Sequence, residues 1–131
     1  MEWLILRKYM SLLGVGSARI DLILPKETYS PGENIKGYFK IVGGTIEQQI
    51  HRIDSDLILI NQTNGTEKVI DFTTILTNKI INSTEENEFP FTFKLPIDVP
   101  VSSGDISYRF HTKLTFNKGV ESSDQDIITI V

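Results

Sequence analysis

Residues 106–116 alternate without a break. Ile106, Tyr108, Phe110, Thr112, Leu114 and Phe116 fall on one parity, and Ser107, Arg109, His111, Lys113 and Thr115 on the other. Successive side chains of a β-strand point to opposite faces, so a period of two makes this segment a half-buried strand with its apolar parity inward. Such a strand cannot stand alone. It needs neighbours on its edges and a second layer over its apolar face.

Other segments repeat the pattern. Ala18, Ile20, Leu22 and Leu24 share a parity, with Arg19 and Asp21 on the other, and Pro25 ends the run. Ile35, Gly37, Phe39 and Ile41 alternate with Lys36, Tyr38 and Lys40; Phe89, Phe91, Phe93 and Leu95 alternate with Pro90, Thr92 and Lys94. A proline inside a strand places it at a sheet edge or a bulge. Residues 69–81 are β-branched and alternate loosely, and 126–131 reads as a final strand. Turn signals separate these runs: Tyr29-Ser-Pro-Gly-Glu33, Gly43-Gly44, Asn64-Gly65, a polar loop over 82–87, and Asn117-Lys-Gly119. About seven strands of unequal length with turns between them are the pattern of an all-β, antiparallel β-sandwich over residues 18–131.

One segment resists this reading. Ile46, Ile50, Ile53, Leu57 and Ile60 are spaced as the stripe of an amphipathic helix, and Thr45 with Gln48 stands in capping-box relation. A strand bulged near His51-Arg52 explains the same residues. One extra residue shifts the alternation, so Ile46 and Ile50 share a face with Ile53, Ser55, Leu57 and Leu59. The residues alone leave the two readings open.

Residues 1–17 read as an N-terminal extension or short helix, with Trp3, Leu6, Met10 and Leu13 at helical spacing and Arg7 and Lys8 off the stripe. The apolar run is too short and its positive charges are misplaced for a signal peptide. Met10 is an alternative start, with 1–9 an upstream extension. The longest uncharged apolar run is Trp3-Leu-Ile-Leu6, far short of the ~20 residues that cross a bilayer. Residues 1–65 hold seven basic and seven acidic side chains, and 66–131 hold six and ten, which accounts for the net charge of −4. No basic footprint for nucleic acid is present. Zero cysteines exclude disulfides, thiolate zinc and a cysteine nucleophile, and fit a reducing, cytoplasmic setting.

Enzyme signatures fail in turn. His51 and His111 are the only histidines and both lie at polar-facing positions. No His-Glu-x-x-His, Gly-x-Ser-x-Gly or P-loop pattern occurs. The carboxylates Glu85, Glu86 and Glu88, and Asp124 with Asp126 near Glu121, invite a calcium reading, but both groups read better as solvated loops. The expectation is a chain with no catalytic residues, no cofactor and no metal, acting through a surface. The edge holding Pro90 and the strand 126–131 are candidates to pair with a partner protein or a second copy of this chain. The alternative is a calcium- or carbohydrate-binding β-sandwich, using the acidic loops and the aromatic Trp3, Tyr29 and Tyr38.

The stretches Tyr29-Ser-Pro-Gly-Glu-Asn-Ile-Lys-Gly37, Phe39-Lys-Ile-Val-Gly-Gly44, Ile46-Glu-Gln-Gln-Ile50 and Glu88-Phe-Pro-Phe-Thr-Phe-Lys-Leu-Pro96, with Gly14-Val-Gly-Ser-Ala-Arg-Ile-Asp21 and Ser122-Ser-Asp-Gln-Asp-Ile127, form an ordered set. This set resembles the N-terminal domain of the bacterial sporulation-control proteins of the arrestin-like superfamily. The resemblance implies an immunoglobulin-like sandwich, regulation through protein–protein contacts without chemistry, and a strand over 45–60. Its motif residues here are Tyr29, Pro31, Gly32, Glu33, Gly37, Gly43, Gly44, Phe89, Pro90, Phe91 and Pro96, all in structural roles. It also implies a second arrestin-like domain beyond Val131, whose absence would leave apolar surface for self-association.

Overall fold

The computed structural model describes residues 16–119 and 121–131. The expected helix over Trp3, Leu6, Met10 and Leu13 therefore lies outside the described residues. Nine strands follow in order: β1 (Arg19–Ile23), β2 (Thr28–Tyr29), β3 (Asn34–Val42), β4 (Gln48–Asn61), β5 (Thr66–Leu76), β6 (Ile80–Ile81), β7 (Glu86–Lys94), β8 (Ile106–Phe116) and β9 (Glu121–Ile130). No helix occurs among the described residues, and none is long and apolar enough to cross a membrane.

Two sheets form. One has the order β1-β3-β7; the other runs β2-β9-β8-β4-β5, with β6 pairing the start of β4. All pairings are antiparallel except β2 with β9, so the larger sheet is mixed instead of purely antiparallel. The parallel pair is only two residues long, Thr28↔Thr129 and Tyr29↔Ile130.

The inward faces are those the alternation selects. Ile35, Phe39 and Ile41 of β3, Phe91 and Phe93 of β7, and Tyr108, Phe110, Leu114 and Phe116 of β8 are buried in one core. The sheets meet through aromatic edges: the Phe110 ring lies 5.5 Å from Phe91 and 5.1 Å from Phe93, near perpendicular to both. Pro90 sits on β7, the edge strand of the smaller sheet, where its missing N–H costs no ladder bond.

Residues 48–61 are strand, not helix. The register of β4 against β8 slips between Ile50 and Arg52, placing a bulge at His51. Ile50, Ile53, Ser55 and Leu57 then share the buried face. The bulge accounts for the step of three from Ile50 to Ile53, whereas Ile60, three beyond Leu57, falls on the other parity, opposite Ser107. Several boundaries differ from expectation: the strand expected over 45–60 starts at Gln48, and the final strand, expected over 126–131, already starts at Glu121. The strand over 69–81 breaks after Leu76 and resumes as β6, and the loop over 82–87 ends at Glu85, because Glu86 and Asn87 already pair with Val42 and Ile41.

Candidate functional site

The motif residues build the ends of the β3–β7 pair. At one end Tyr29 is buried, and its hydroxyl donates to the Lys26 carbonyl at 2.7 Å. Lys26 Nζ lies 5.0 Å above the Tyr29 ring and 2.6 Å from Glu33 Oε2. Glu33 Oε1 accepts the Ser30 N–H at 3.0 Å, and these contacts, Lys26 foremost, hold the Glu33 carboxyl below its usual range. Pro31 is half-buried and leads into Gly32, whose φ of +80° only glycine adopts freely and whose N–H donates to Pro96 O at 3.2 Å. Tyr29 is thus a buried clamp, which corrects its assignment as a surface aromatic for a carbohydrate.

At the other end Gly43 and Gly44 let three segments meet. A Cβ on Gly43 would collide with the Asn82 carbonyl, and one on Gly44 with the Gly16 carbonyl. Between the ends, Gly37 lies against the Ile23 carbonyl, Phe91 is buried, Phe89 is half-buried, and Pro90 is exposed opposite Tyr38. These residues shape the scaffold and converge on no common site.

The acidic residues sort differently from their order in sequence. Glu85 accepts from Asn87 and Asn82, each at 2.8 Å, which keeps its carboxyl low; Glu86 pairs with Lys40 at 3.4 Å. Glu121 points to Lys113, 3.8 Å away. Asp124 and Asp126 do come together, and their third member is Asp21 of β1, with ligand oxygens all within 4.8 Å of one another. The two β9 aspartates are not in a loop. Register pairs Asp126 with Phe110 and Asp124 with Thr112, so they continue the inward parity of Ile128 and Ile130 at the seam where β1 crosses β9. Carboxylates in the core phase of a strand were the signal available in the sequence; Asp21 had none, since it arrives from the other sheet.

The geometry explains their chemistry. Asp124 Oδ2 accepts the Leu22 N–H at 2.9 Å, tying the edge of β1 to β9. Asp126 Oδ2 is buried with no hydrogen-bond partner. Burial, then the hydrogen bond and charge of Asp124, push the Asp126 carboxyl up to about 7. Asp21 is raised by the same causes and partly drawn back by Lys40. Three close carboxylates can share a proton or ligate a hard cation. The histidines lie elsewhere: His51 is exposed at the bulge, and His111 faces outward opposite Asp56.

The family described as SpoOM protein matches residues 6–131. This chain belongs to the SpoOM protein family. It is 33% identical over 133 residues to the sporulation-control protein Spo0M of Bacillus subtilis (strain 168), covering 95% of this chain and 50% of that protein. The crystal structure of Spo0M from Bacillus subtilis superposes with a TM-score of 0.79 at 34% identity, over 88% of this chain and 50% of the other. The chain thus spans about half the length of the SpoOM relative it matches. A Niemann-Pick type C2 protein from the Japanese carpenter ant shares the fold at 10% identity, with a TM-score of 0.56 over 88% and 93% of the two chains.

Proposed function

We propose that this chain is a non-enzymatic regulatory module of the sporulation-control type, acting in the cytoplasm through protein–protein contacts on an immunoglobulin-like, arrestin-like sandwich. The observation that carries it is the likeness to the sporulation-control protein over nearly the whole chain. The scaffold roles of the motif residues agree with it, since function on such a scaffold falls to edges and faces. Of the two edges expected to pair, β7 has no partner strand but β3 among the described residues, whereas Thr129 and Ile130 of β9 are occupied by β2. The contact edge in this reading is therefore β7. The test is a pull-down from a sporulating Bacillus with bait verified as folded by circular dichroism, followed by rebinding from purified components. A partner that rebinds supports the proposal; none overturns it.

The second reading, a calcium-binding module, has one specific observation, the convergence of Asp21, Asp124 and Asp126. Calcium at a hundred times its dissociation constant would add about 2.7 kcal/mol of stability. On the regulatory reading, millimolar calcium leaves the melting temperature unchanged; a rise supports the alternative.

A further inference from the structure

The margin of the smaller sheet holds backbone groups in a fixed order. At one end of β7 the Leu95 N–H donates to Glu33 O at 2.9 Å, and at the other the Gly43 N–H donates to Glu85 O at 2.8 Å. The register from Asn34↔Lys94 to Val42↔Glu86 is unbroken. Antiparallel pairs alternate between bonded and non-bonded positions, so the odd-numbered residues of β7 bond to β3 and the even-numbered ones turn their backbone away from it. Glu86, Glu88, Thr92 and Lys94 thus present N–H and C=O at the margin, and Pro90 presents C=O alone. No strand but β3 pairs with β7 among the described residues.

A ledge lies below this margin. Leu22 of β1 is tied to Asp124 of β9 on one side of the sandwich, so β7 is the margin of the smaller sheet on the side of β4 and β5. The inward positions Ile53, Ser55 and Leu57 of β4 are buried, whereas their partners on β5, Ile75, Thr73 and Asp71, are half-buried or exposed. The smaller sheet therefore stops over β4 and leaves β5 uncovered. A strand added beside β7 at the usual spacing of ~4.8 Å would lie over β5 and cover Ile75.

The charges along the margin have a direction. Glu86 is matched by Lys40 at 3.4 Å, while Glu88 and Lys94 have no ion pair among the described residues. Opposed residues on neighbouring strands share a face. An antiparallel newcomer is therefore matched by an acid against Lys94 and, six residues later, a base against Glu88. A second copy of β7 does not fit. Antiparallel pairing of two such margins sets Pro90 against Pro90, Glu88 against Glu88, or Lys94 against Pro90, according to register.

We propose that this margin takes an extended segment of a partner protein as a fourth, antiparallel strand, with an acidic residue against Lys94, a small one against Pro90, a basic one against Glu88, and apolar residues between them over β5. This rests on the regulatory reading above and gives its contact a form. Main-chain hydrogen bonds supply affinity, and the two charges set direction and register.

The probe is an end-blocked heptapeptide, Glu-Val-Thr-Val-Ala-Val-Lys, and the control is Lys-Val-Thr-Val-Ala-Val-Glu, of the same composition and backbone. Titrated to millimolar concentration into the isotope-labelled chain, the probe should shift the amide signals of Thr92 and Lys94 and slow their hydrogen exchange. The control should bind about 4-fold or more weakly, since two attractive cross-strand pairs become repulsive. Lys94→Glu with Glu88→Lys should reverse that preference. Thr92→Pro should abolish binding with far-UV dichroism and the unfolding midpoint unchanged, because the lost N–H faces away from β3. If that variant misfolds, the probe N-methylated at its threonine and alanine should fail to bind the parent protein. Undisturbed Thr92 and Lys94 amides at millimolar probe overturn the proposal, as does equal binding of the two charge orders or of the N-methylated probe. Protection of these amides that grows with protein concentration in the absence of peptide overturns it in favour of a second copy. A protein from the pull-down that rebinds the parent and Thr92→Pro equally overturns the strand addition and leaves the regulatory reading standing. With the probe bound and no rebinding partner, the regulatory reading falls and the margin stands as a strand site.

Discussion

Ser55 and Thr112 put a polar pair into the middle of the core, and removing half of it should hurt more than removing all of it. The two residues lie opposite one another on β4 and β8. Both are 0% exposed, and their hydroxyl oxygens are 3.0 Å apart. The neighbouring inward positions along the same strands are Ile53, Leu57, Phe110 and Leu114, all buried and apolar. Thr112→Val keeps the shape but leaves the Ser55 hydroxyl desolvated without this partner, and Ser55→Ala does the converse. A buried hydroxyl left unpaired costs about 1–3 kcal/mol, whereas replacing both partners by apolar groups is close to neutral. For a chain of this size each kcal/mol lowers the melting temperature by about 3–5 °C. Each single variant should therefore melt about 3–15 °C below the parent. The double variant should melt close to the parent, so its cost should fall short of the sum of the singles by about 2–6 kcal/mol. Urea and thermal unfolding of all four proteins by far-UV dichroism, with equal m-values, measures the cycle. Additivity within about 0.5 kcal/mol would refute the reasoning, because it would mean that the hydroxyls are satisfied independently.

Phe110→Ala removes the ring that joins the two sheets and should cost about 3–5 kcal/mol, read from the urea midpoint; a cost below about 1 kcal/mol would mean that the 106–116 face is assigned wrongly. The Asp126 carboxyl is raised from its usual 3.8 to about 7 in the fold, so the folded state holds the proton more tightly than the unfolded chain. Its contribution to stability is full below about pH 4 and is lost as pH rises through about 7, so the melting temperature should fall between pH 5 and pH 8. Asp126→Asn should flatten that fall and gain on the order of 1–2 kcal/mol at pH 8. A parent protein whose melting temperature does not decline over that range would count against a shared proton at the β1–β9 seam.

The strands that sequence reads cleanly are those with one wet face and one dry one. β3, β7 and β8 keep strict alternation because each covers the core with one parity only. β4 is ambiguous in sequence because its bulge at His51 changes the phase midway, and only the neighbouring strand β8 shows where the extra residue sits. β5 is legible as a strand but not as an edge. Its loose alternation does not mark a dry face, and Val69, Phe72 and Leu76 are exposed on the outer side of the sheet. The acidic cluster was half visible. Asp124 and Asp126 drew attention as a pair, yet the companion read from proximity was Glu121, which turns to Lys113 instead.

By itself, then, the sequence determined the local conformations: which runs are extended, where Gly32 and Asn64-Gly65 turn the chain, and that Phe110 points inward. These follow from backbone periodicity and turn sterics, which act among near neighbours. Only the tertiary structure decided that β2 joins β9 in parallel, that His51 is the bulged residue, and that Asp21 meets Asp124 and Asp126 from the opposite sheet. Those outcomes depend on which strands lie side by side. That choice is made by contacts between residues far apart in the chain, as where the Leu22 N–H meets an Asp124 carboxylate 102 positions away, and no local pattern records it.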